Sequence, residues 1–232
     1  MASHPIVFVR HGESEANIFL HQNDPDAGTK INRLGDPNLS TLGLEQAKVT
    51  CQALIRNFEE MGNPSVFVLC SSFSRAVQTG SYFVDNYESL LGYSETNELL
   101  EYTPPKKNLS QQHLDRGLSH DNRWDDFKNR IVSFCDKWFN TPPKQPIVVF
   151  GHSMYISCLI TYMSSNRKFF PDKNQMFFRF PNCSLSTLLW DDERNRWVGD
   201  HIASITHLPI QLVTGTHTSF ATNNNNNTSD GE

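Results

Sequence analysis

The sequence predicts an α/β fold with a largely parallel central sheet, because short apolar segments alternate with amphipathic ones. Four runs rich in β-branched or aromatic residues have the length expected of buried strands, and they cover residues 6–9, 66–70, 147–150 and 185–190. Apolar residues in 44–58 and 127–138 recur at steps of three and four, as on one face of a helix. In such sheets function gathers in the loops after the carboxyl ends of the strands.

Composition excludes several classes of protein. The chain has 232 residues, of which 38% are hydrophobic and 19% charged, so it is long enough and apolar enough to bury a core. A net charge of −5 gives no general attraction for nucleic acid or for an anionic membrane, and we expect neither partner. The first apolar run is too short for a signal peptide, and no run reaches membrane-spanning length.

The cysteines point to the compartment. Five cysteines, odd in number and without a CxxC pair, lie mostly in apolar surroundings, which predicts buried free thiols in a reducing environment. The expected location is therefore cytoplasmic.

Three polar stretches interrupt the pattern. Residues 20–40 are rich in Asn, Asp, Pro and Gly, which predicts an ordered surface loop, and 103–123 have the composition of an inserted lid. The asparagine-rich carboxyl terminus has too few apolar residues to order itself. We therefore expect one domain over 1–213 and a disordered tail over 214–232.

The first predicted strand ends in the string Arg-His-Gly-Glu-Ser at 10–14, and Asn17 follows shortly after. An imidazole is a nucleophile, and a guanidinium is a permanently charged fork for phosphate oxygens. Gly12 allows the backbone to turn closely around a bound group. An isolated Arg-His pair is usually structural, but the whole string directly after a strand is rare by chance. The string predicts a phosphate site with His11 as its nucleophile.

Two further strands bring polar residues to the same predicted edge of the sheet. Ser71 and Ser72 follow the second strand, where either could cap the next helix, and Arg75 falls in the first turn of that helix. His152 follows the third strand. Each of these residues alone has an ordinary structural explanation. Together they predict one anion site, because three strand ends converge on Arg10, His11, Arg75 and His152.

These motifs resemble the histidine phosphatase superfamily, also called the phosphoglycerate mutase-like family, over residues 5–208. The resemblance implies a three-layer α/β/α sandwich and hydrolysis of a phosphomonoester through a phosphohistidine on His11, with no metal or other cofactor. The implied substrate is a small-molecule phosphate ester or a phosphoprotein. The implied catalytic residues are His11, Glu101, His152, Arg10 and Arg75, and the implied substrate-binding residues are Arg10, Asn17, Arg75, His152 and Ser153.

The family usually takes the proton for the leaving group from a glutamate in a Leu-x-Glu string, and the acid that other members carry directly after the second histidine is absent here. Leu99 and Glu101 match that string, so Glu101 is the predicted acid and Glu98 is its neighbouring alternative. The glycine usual after this glutamate is replaced by Thr-Pro-Pro at 103–105. In the insertion that follows, four cations are predicted to face the pocket mouth and to select a second anionic group: Lys106, Lys107, Arg116 and Arg123.

Alternatives remain open at this stage. A phosphoglycerate mutase-type transfer fits the family, although the mutase strings around Asn17 and the acid are missing. A catalytically weak phosphate-binding or interaction protein would carry the same cations.

Gly-His-Ser-Met-Tyr at 151–155 resembles the nucleophile elbow of α/β-hydrolases, which would make Ser153 an esterase nucleophile with His201 as its base. A metal site is also conceivable from residue type, although solvated loop residues explain the set better: His113, Asp115, His120 and Asp121.

Overall fold

The computed structural model of the chain describes residues 4–22, 26–101, 122–170 and 180–215. Within them, the strands are β1 (Ile6–Arg10), β2 (Val66–Ser71), β3 (Leu90–Thr96), β4 (Ile147–Gly151), β5 (Leu185–Asp191) and β6 (Arg196–Ser204). The helices are α1 (Glu15–His21), α2 (Ala27–Leu34), α3 (Thr41–Glu60), α4 (Ser74–Asn86), α5 (Asn122–Trp138) and α6 (Ser153–Ser164). Short 3₁₀ turns cover Asn97–Leu99 and Ile210–Leu212.

The strands form one sheet in the order β3-β2-β4-β1-β5-β6. The first four strands in that order are mutually parallel, β5 runs antiparallel to β1, and β6 runs antiparallel to β5. The predicted α/β fold with a mostly parallel sheet is confirmed. Because β1, β2 and β4 are parallel neighbours, their carboxyl ends meet at one edge of the sheet.

The two faces of β1 show why the sheet lies between two helical layers. Ile6 and Phe8 belong to one buried cluster, which α5 and α6 cover. Val7 and Val9 belong to another, which α3 and α4 cover. Side chains alternate between the faces of a strand, so a strand that is apolar at every position must be buried on both. This alternation produces the three-layer α/β/α sandwich.

Two strands, β3 and β6, and two helices, α1 and α2, were not predicted from the sequence. β3 and β6 lie at the two edges of the sheet, and much of their side-chain surface is exposed, so neither has the continuous apolar run of a central strand. The predicted loop over 20–40 is wrong for Ala27–Leu34, which forms α2. Most of the turn-forming Asn, Asp and Pro residues of this segment flank α2, at 23–26 before it and 36–38 after it, and Gly35 ends it with a positive φ of 66°.

The structure also bears on the predicted helices, the cysteines, the lid and the carboxyl-terminal tail. The predicted helical segments lie within α3 and α5. All five cysteines are buried free thiols, as predicted. No helix among the described residues is long and apolar enough to cross a membrane. Of the predicted lid, only 122–123 are described, and they begin α5. Thr214, the first residue of the predicted tail, hydrogen-bonds to Gln46 and Asn182, whereas 216–232 lie outside the described residues.

Candidate active site

The carboxyl ends of β1, β2 and β4 bring the predicted residues together. His11 follows β1, and its backbone N–H donates to the carbonyl of Gly151 at the end of β4 (3.0 Å). The His11 and His152 rings lie 5.2 Å apart, centroid to centroid. Arg75, in the first turn of α4, places its Nε 3.3 Å from Nε2 of His11. Two histidines and a guanidinium from three different elements therefore surround one point.

The loop that carries His11 is packed tightly against the first turn of α3. A Cβ on Gly12 would lie 2.5 Å from the carbonyl oxygen of Gly43, and one on Gly43 would lie 2.0 Å from that of Glu13. Ser40 caps α3 and also donates to the Glu13 carboxylate (2.9 Å). Only glycine permits two backbones to approach so closely. These contacts fix the path of the chain directly after His11.

The partners of the His11 ring assign its tautomer. Nδ1 lies 2.7 Å from the carbonyl oxygen of Gly12, which can only accept, so Nδ1 carries the proton. Nε2 faces the N–H of Arg75, which can only donate, so Nε2 keeps its lone pair. Burial lowers the pKa of His11 well below its usual value, and the charges of Arg75 and Arg10 lower it further. The ring is therefore neutral near pH 7, with its basic nitrogen beside a guanidinium.

His152 is completely buried where β4 leads into α6. Its Nε2 lies 2.8 Å from the hydroxyl oxygen of Ser71, and the Phe73 ring contacts it edge-on. Burial lowers its pKa well below the usual value, and the charges of Arg75, Arg10 and Arg130 act in the same direction. This second histidine is therefore also neutral.

The two arginines are held by different groups. Arg10 donates through Nη1 to the carbonyl oxygen of Phe180. The guanidinium of Arg75 stacks over the Phe73 ring at 4.6 Å, and its Nη1 lies 3.5 Å from the Asp36 carboxylate. These contacts hold both cations at the sheet edge.

The start of α4 differs from the sequence prediction. The N-cap residue is Phe73, so the expected capping by Ser71 or Ser72 is wrong. Ser71 bonds to His152, and Ser72 donates to Asn97 (2.5 Å). Asp36, distant in sequence, accepts the N–H of Ser74 instead (2.9 Å). Arg75 nevertheless lies in the first helical turn, as expected.

Asn17 lies in α1 beside the His11 loop. Its Oδ1 accepts from the Ser14 hydroxyl and from the Asn182 amide, each at 3.1 Å, so only Nδ2 could donate to a ligand. Asn182 also donates to the His11 carbonyl oxygen (3.2 Å). Sequence reasoning gave Asn182 no role, although it lies within the segment that resembles the family. Its amide ties α1 to the backbone of His11.

The two candidate acids lie in different places. Glu101 accepts the N–H of Met154 and the N–H of Tyr155, both at 3.1 Å, in the first turn of α6 directly after His152. Glu98 faces Lys137 of α5, with 3.3 Å between carboxylate and ammonium. The structure thus brings Glu101 next to the site and leaves Glu98 beside α5.

Arg130 is a residue that sequence reasoning missed. From α5, its Nη1 donates to the carbonyl of Leu100 (2.8 Å) and to that of Glu98 (3.2 Å). It thereby anchors the segment that ends at Glu101. The sequence carried no clear signal for this role, because charged residues commonly flank the apolar stripe of an amphipathic helix.

The remaining candidates lie beside His152, on other elements or outside the described residues. Ser153 begins α6, and its Oγ accepts the N–H of Phe180 (3.3 Å). His201, the base required by the esterase alternative, is exposed on β6 and lines a separate cavity of about 560 Å³ between α3 and β5. Arg123 lies in the first turn of α5. Three of the four predicted pocket cations lie outside the described residues: Lys106, Lys107 and Arg116. The four residues of the conceivable metal site do as well: His113, Asp115, His120 and Asp121.

The fold is thus an α/β sandwich in which two neutral histidines and two guanidiniums lie together at the edge where β1, β2 and β4 end. The chain matches the family model of the histidine phosphatase superfamily (branch 1) over residues 6–201, and it belongs to that superfamily.

Solved structures share the fold at low sequence identity. α-Ribazole phosphatase from Shigella flexneri is 19% identical, with a TM-score of 0.60 over 86% of this chain and 96% of that one. Phosphoserine phosphatase from Entamoeba histolytica is 16% identical, with a TM-score of 0.55 over 89% and 100%. Mycobacterial glucosyl-3-phosphoglycerate phosphatase is 20% identical, with a TM-score of 0.52 over 86% and 99%. A comparison with curated protein sequences finds no significant match.

Proposed function

We propose that the protein is a phosphatase that hydrolyses a phosphomonoester through a phosphohistidine on His11 and needs no metal ion. The observation that carries the proposal is the contact between Nε2 of the buried His11 ring and Nε of Arg75, which lie 3.3 Å apart. This contact leaves Nε2 unprotonated beside a guanidinium. A neutral imidazole is a competent nucleophile, and an adjacent cation attracts the dianionic group that it attacks.

In the first step, Nε2 of His11 forms a bond to phosphorus while the bond between phosphorus and the ester oxygen breaks. Arg10 and Arg75 stabilise the charge that spreads over the phosphoryl oxygens, a role that metal ions have in other phosphatases. The departing oxygen takes a proton from Glu101 in this proposal. The products of this step are a free alcohol and a phosphorylated histidine.

In the second step, the Glu101 carboxylate takes a proton from water, and the resulting hydroxide attacks phosphorus. The electron pair of the N–P bond returns to His11, and inorganic phosphate leaves. Glu101 is protonated again, so the cycle closes with one water consumed. The contacts of Glu101 with two N–H groups of α6 support this role, because they hold a carboxylate beside His152.

Small phosphate esters are the proposed substrates, and a phosphoprotein is the alternative. The three solved structures named above are all called phosphatases of small molecules, which supports this choice. Asn17 Nδ2, His152 and Ser153 are proposed to contact the substrate together with the arginines. The buried free thiols support a reducing compartment such as the cytoplasm.

The test is hydrolysis of p-nitrophenyl phosphate in the presence of EDTA. We expect activity in the wild type and a loss of several orders of magnitude in His11→Ala, because the covalent route is removed. His201→Ala is the matched control and keeps full activity, since His201 is exposed on β6. Rapid quenching is expected to trap a base-stable, acid-labile phosphoprotein in the wild type.

Two results would contradict the proposal. Activity that EDTA abolishes and a divalent ion restores would defeat metal independence. An active His11→Ala without a trapped phosphoprotein would defeat the mechanism. Release of inorganic phosphate, as opposed to transfer to a second hydroxyl, distinguishes the phosphatase from a mutase.

A further inference from the structure

The ring of His152 has one anchored nitrogen and one without a partner. Nε2 lies 2.8 Å from the hydroxyl oxygen of Ser71, the last residue of β2. Nδ1 is buried and has no hydrogen-bond partner within the part of the chain that the structure describes. A buried polar atom without a partner is costly, so a ligand that supplies one binds favourably there.

The hydrogen bonds of Ser71 give its bond to His152 a direction. The Ser71 hydroxyl oxygen lies 3.4 Å from the backbone N–H of Phe73, which can only donate. Among the described residues, Nε2 of His152 is the acceptor left for the single Ser71 proton. If Nε2 carried the imidazole proton, the Ser71 proton would have no acceptor among these residues. Ser71 therefore donates to Nε2, and a neutral His152 has its proton on Nδ1.

We propose that Ser71 is a positioning residue that fixes His152 in the Nδ1–H tautomer, so that the neutral ring donates to a phosphoryl oxygen. The inference rests on the proposed phosphatase function and goes beyond it by assigning the proton of the second histidine. With the opposite tautomer, Nδ1 would present a lone pair, which repels an anionic oxygen.

The two histidines then share a tautomer and serve opposite purposes. The Gly12 carbonyl fixes Nδ1–H of His11 and leaves a lone pair on Nε2. The Ser71 hydroxyl occupies Nε2 of His152 and leaves an N–H on Nδ1. One site thus obtains a nucleophile and a neutral donor from the same side-chain type, because the anchoring groups differ in hydrogen-bonding character.

The test uses the full-length protein labelled with ¹³C and ¹⁵N in histidine. The Cδ2 chemical shift separates the two imidazole tautomers, and the His152 signal is assigned by its disappearance in His152→Asn. We expect the Nδ1–H tautomer in the wild type and a mixed or Nε2–H population in Ser71→Ala. Affinity for inorganic phosphate is expected to fall roughly tenfold in Ser71→Ala, the effect of one misplaced hydrogen bond.

Ser71→Thr keeps the hydroxyl and is expected to restore both the tautomer and the affinity. Ser72→Ala is the matched control, because it removes a neighbouring hydroxyl that bonds to Asn97 and should move neither readout. An Nε2–H tautomer in the wild type overturns the inference even if Ser71→Ala does not fold. A folded Ser71→Ala with unchanged tautomer and phosphate affinity also overturns it.

Neither readout needs turnover, so this test can fail or succeed separately from the hydrolysis assay of His11→Ala. Hydrolysis adds a further criterion. The kcat of Ser71→Ala should fall together with its phosphate affinity, while the trapped phosphoprotein still forms on His11.

Discussion

Two glutamates three residues apart show how much the position of a single carboxylate matters. The Glu101 carboxylate binds the first turn of α6, next to His152, whereas the Glu98 carboxylate lies beside Lys137 of α5. Arg130 holds the segment that joins them, because its guanidinium donates to the backbone carbonyls of Glu98 and Leu100. Both residues are carboxylic acids, but only Glu101 lies next to His152, which is why it is the proposed acid.

We predict that Glu101→Gln cripples hydrolysis of an alkyl phosphate by roughly 10²–10⁴-fold, the usual contribution of general acid catalysis. Hydrolysis of p-nitrophenyl phosphate should suffer much less, because its phenolate leaves without a proton. The measurement is kcat/KM for both substrates, with the melting temperature as a check on folding. Glu98→Gln is the matched control and should be mild on both substrates. A leaving-group dependence in Glu98→Gln alone would reassign the acid and leave the His11 nucleophile in place.

At the scale of elements, the contact between the His11 loop and α3 determines where His11, the proposed nucleophile, lies. Gly12 and Gly43 let two backbones meet, and Gln46 extends the contact by accepting the N–H of Glu13 (2.7 Å). Gln46 also donates to the carbonyl of Leu212 (2.7 Å), so one side chain joins α3, the loop and the carboxyl-terminal turn. The loop is therefore held by a helix that itself supplies no reacting group.

We predict that Gly43→Ala destabilises the fold by about 3 kcal/mol, because its Cβ would meet a backbone oxygen that cannot move freely. Activity should fall as well, since the displaced loop carries His11. Leu44→Ala is the control, because Leu44 lies in the same turn of α3 and is 50% exposed. Urea unfolding and p-nitrophenyl phosphate hydrolysis measure the two effects. Equal unfolding midpoints for the two variants would contradict the packing argument.

At the scale of the whole molecule, buried neutral histidines couple stability to pH. Burial is the main cause that lowers the pKa of His11, of His152 and of the half-buried His207. Their unfolded pKa lies near 6.5, so below that pH the unfolded chain binds protons that the folded chain excludes. The contribution of these histidines to the free energy of unfolding is therefore fully present above about pH 6.5 and is lost as the pH falls toward their pKa values in the folded protein.

We predict a melting temperature that is flat from about pH 7 to 8 and falls steadily below about pH 6.5. Each fully buried histidine contributes at most about 1.4 kcal/mol per pH unit to this slope, and His207 contributes less because it is partly exposed. His207→Gln should reduce the slope, whereas His201→Gln, at an exposed position, should not. A melting temperature that rises between pH 6.5 and 5 would contradict the assignment of neutral buried histidines.

The fold follows from the sequence where burial is complete. β1, β2 and β4 are apolar along nearly their whole length, because helices cover both faces, and such runs are recognisable without a structure. β3, β6 and the two short helices α1 and α2 were not recognised, because their exposed faces take polar residues and blur the periodicity. The degree of burial explains both outcomes, because a buried strand must be apolar throughout and an exposed element need not be.

The sequence by itself determined which residue types follow the central strands, and hence that His11, Arg10, Arg75 and His152 would share one edge. It could not determine what each of them contacts. The Ser71 partner of His152, the cap that Asp36 provides and the anchoring by Arg130 and Asn182 come from distant parts of the chain. A hydrogen bond depends on placement to within a few tenths of an ångström, and only the packing of helices on the sheet fixes distances that finely. Tertiary structure therefore decided the tautomers and separated Glu101 from Glu98.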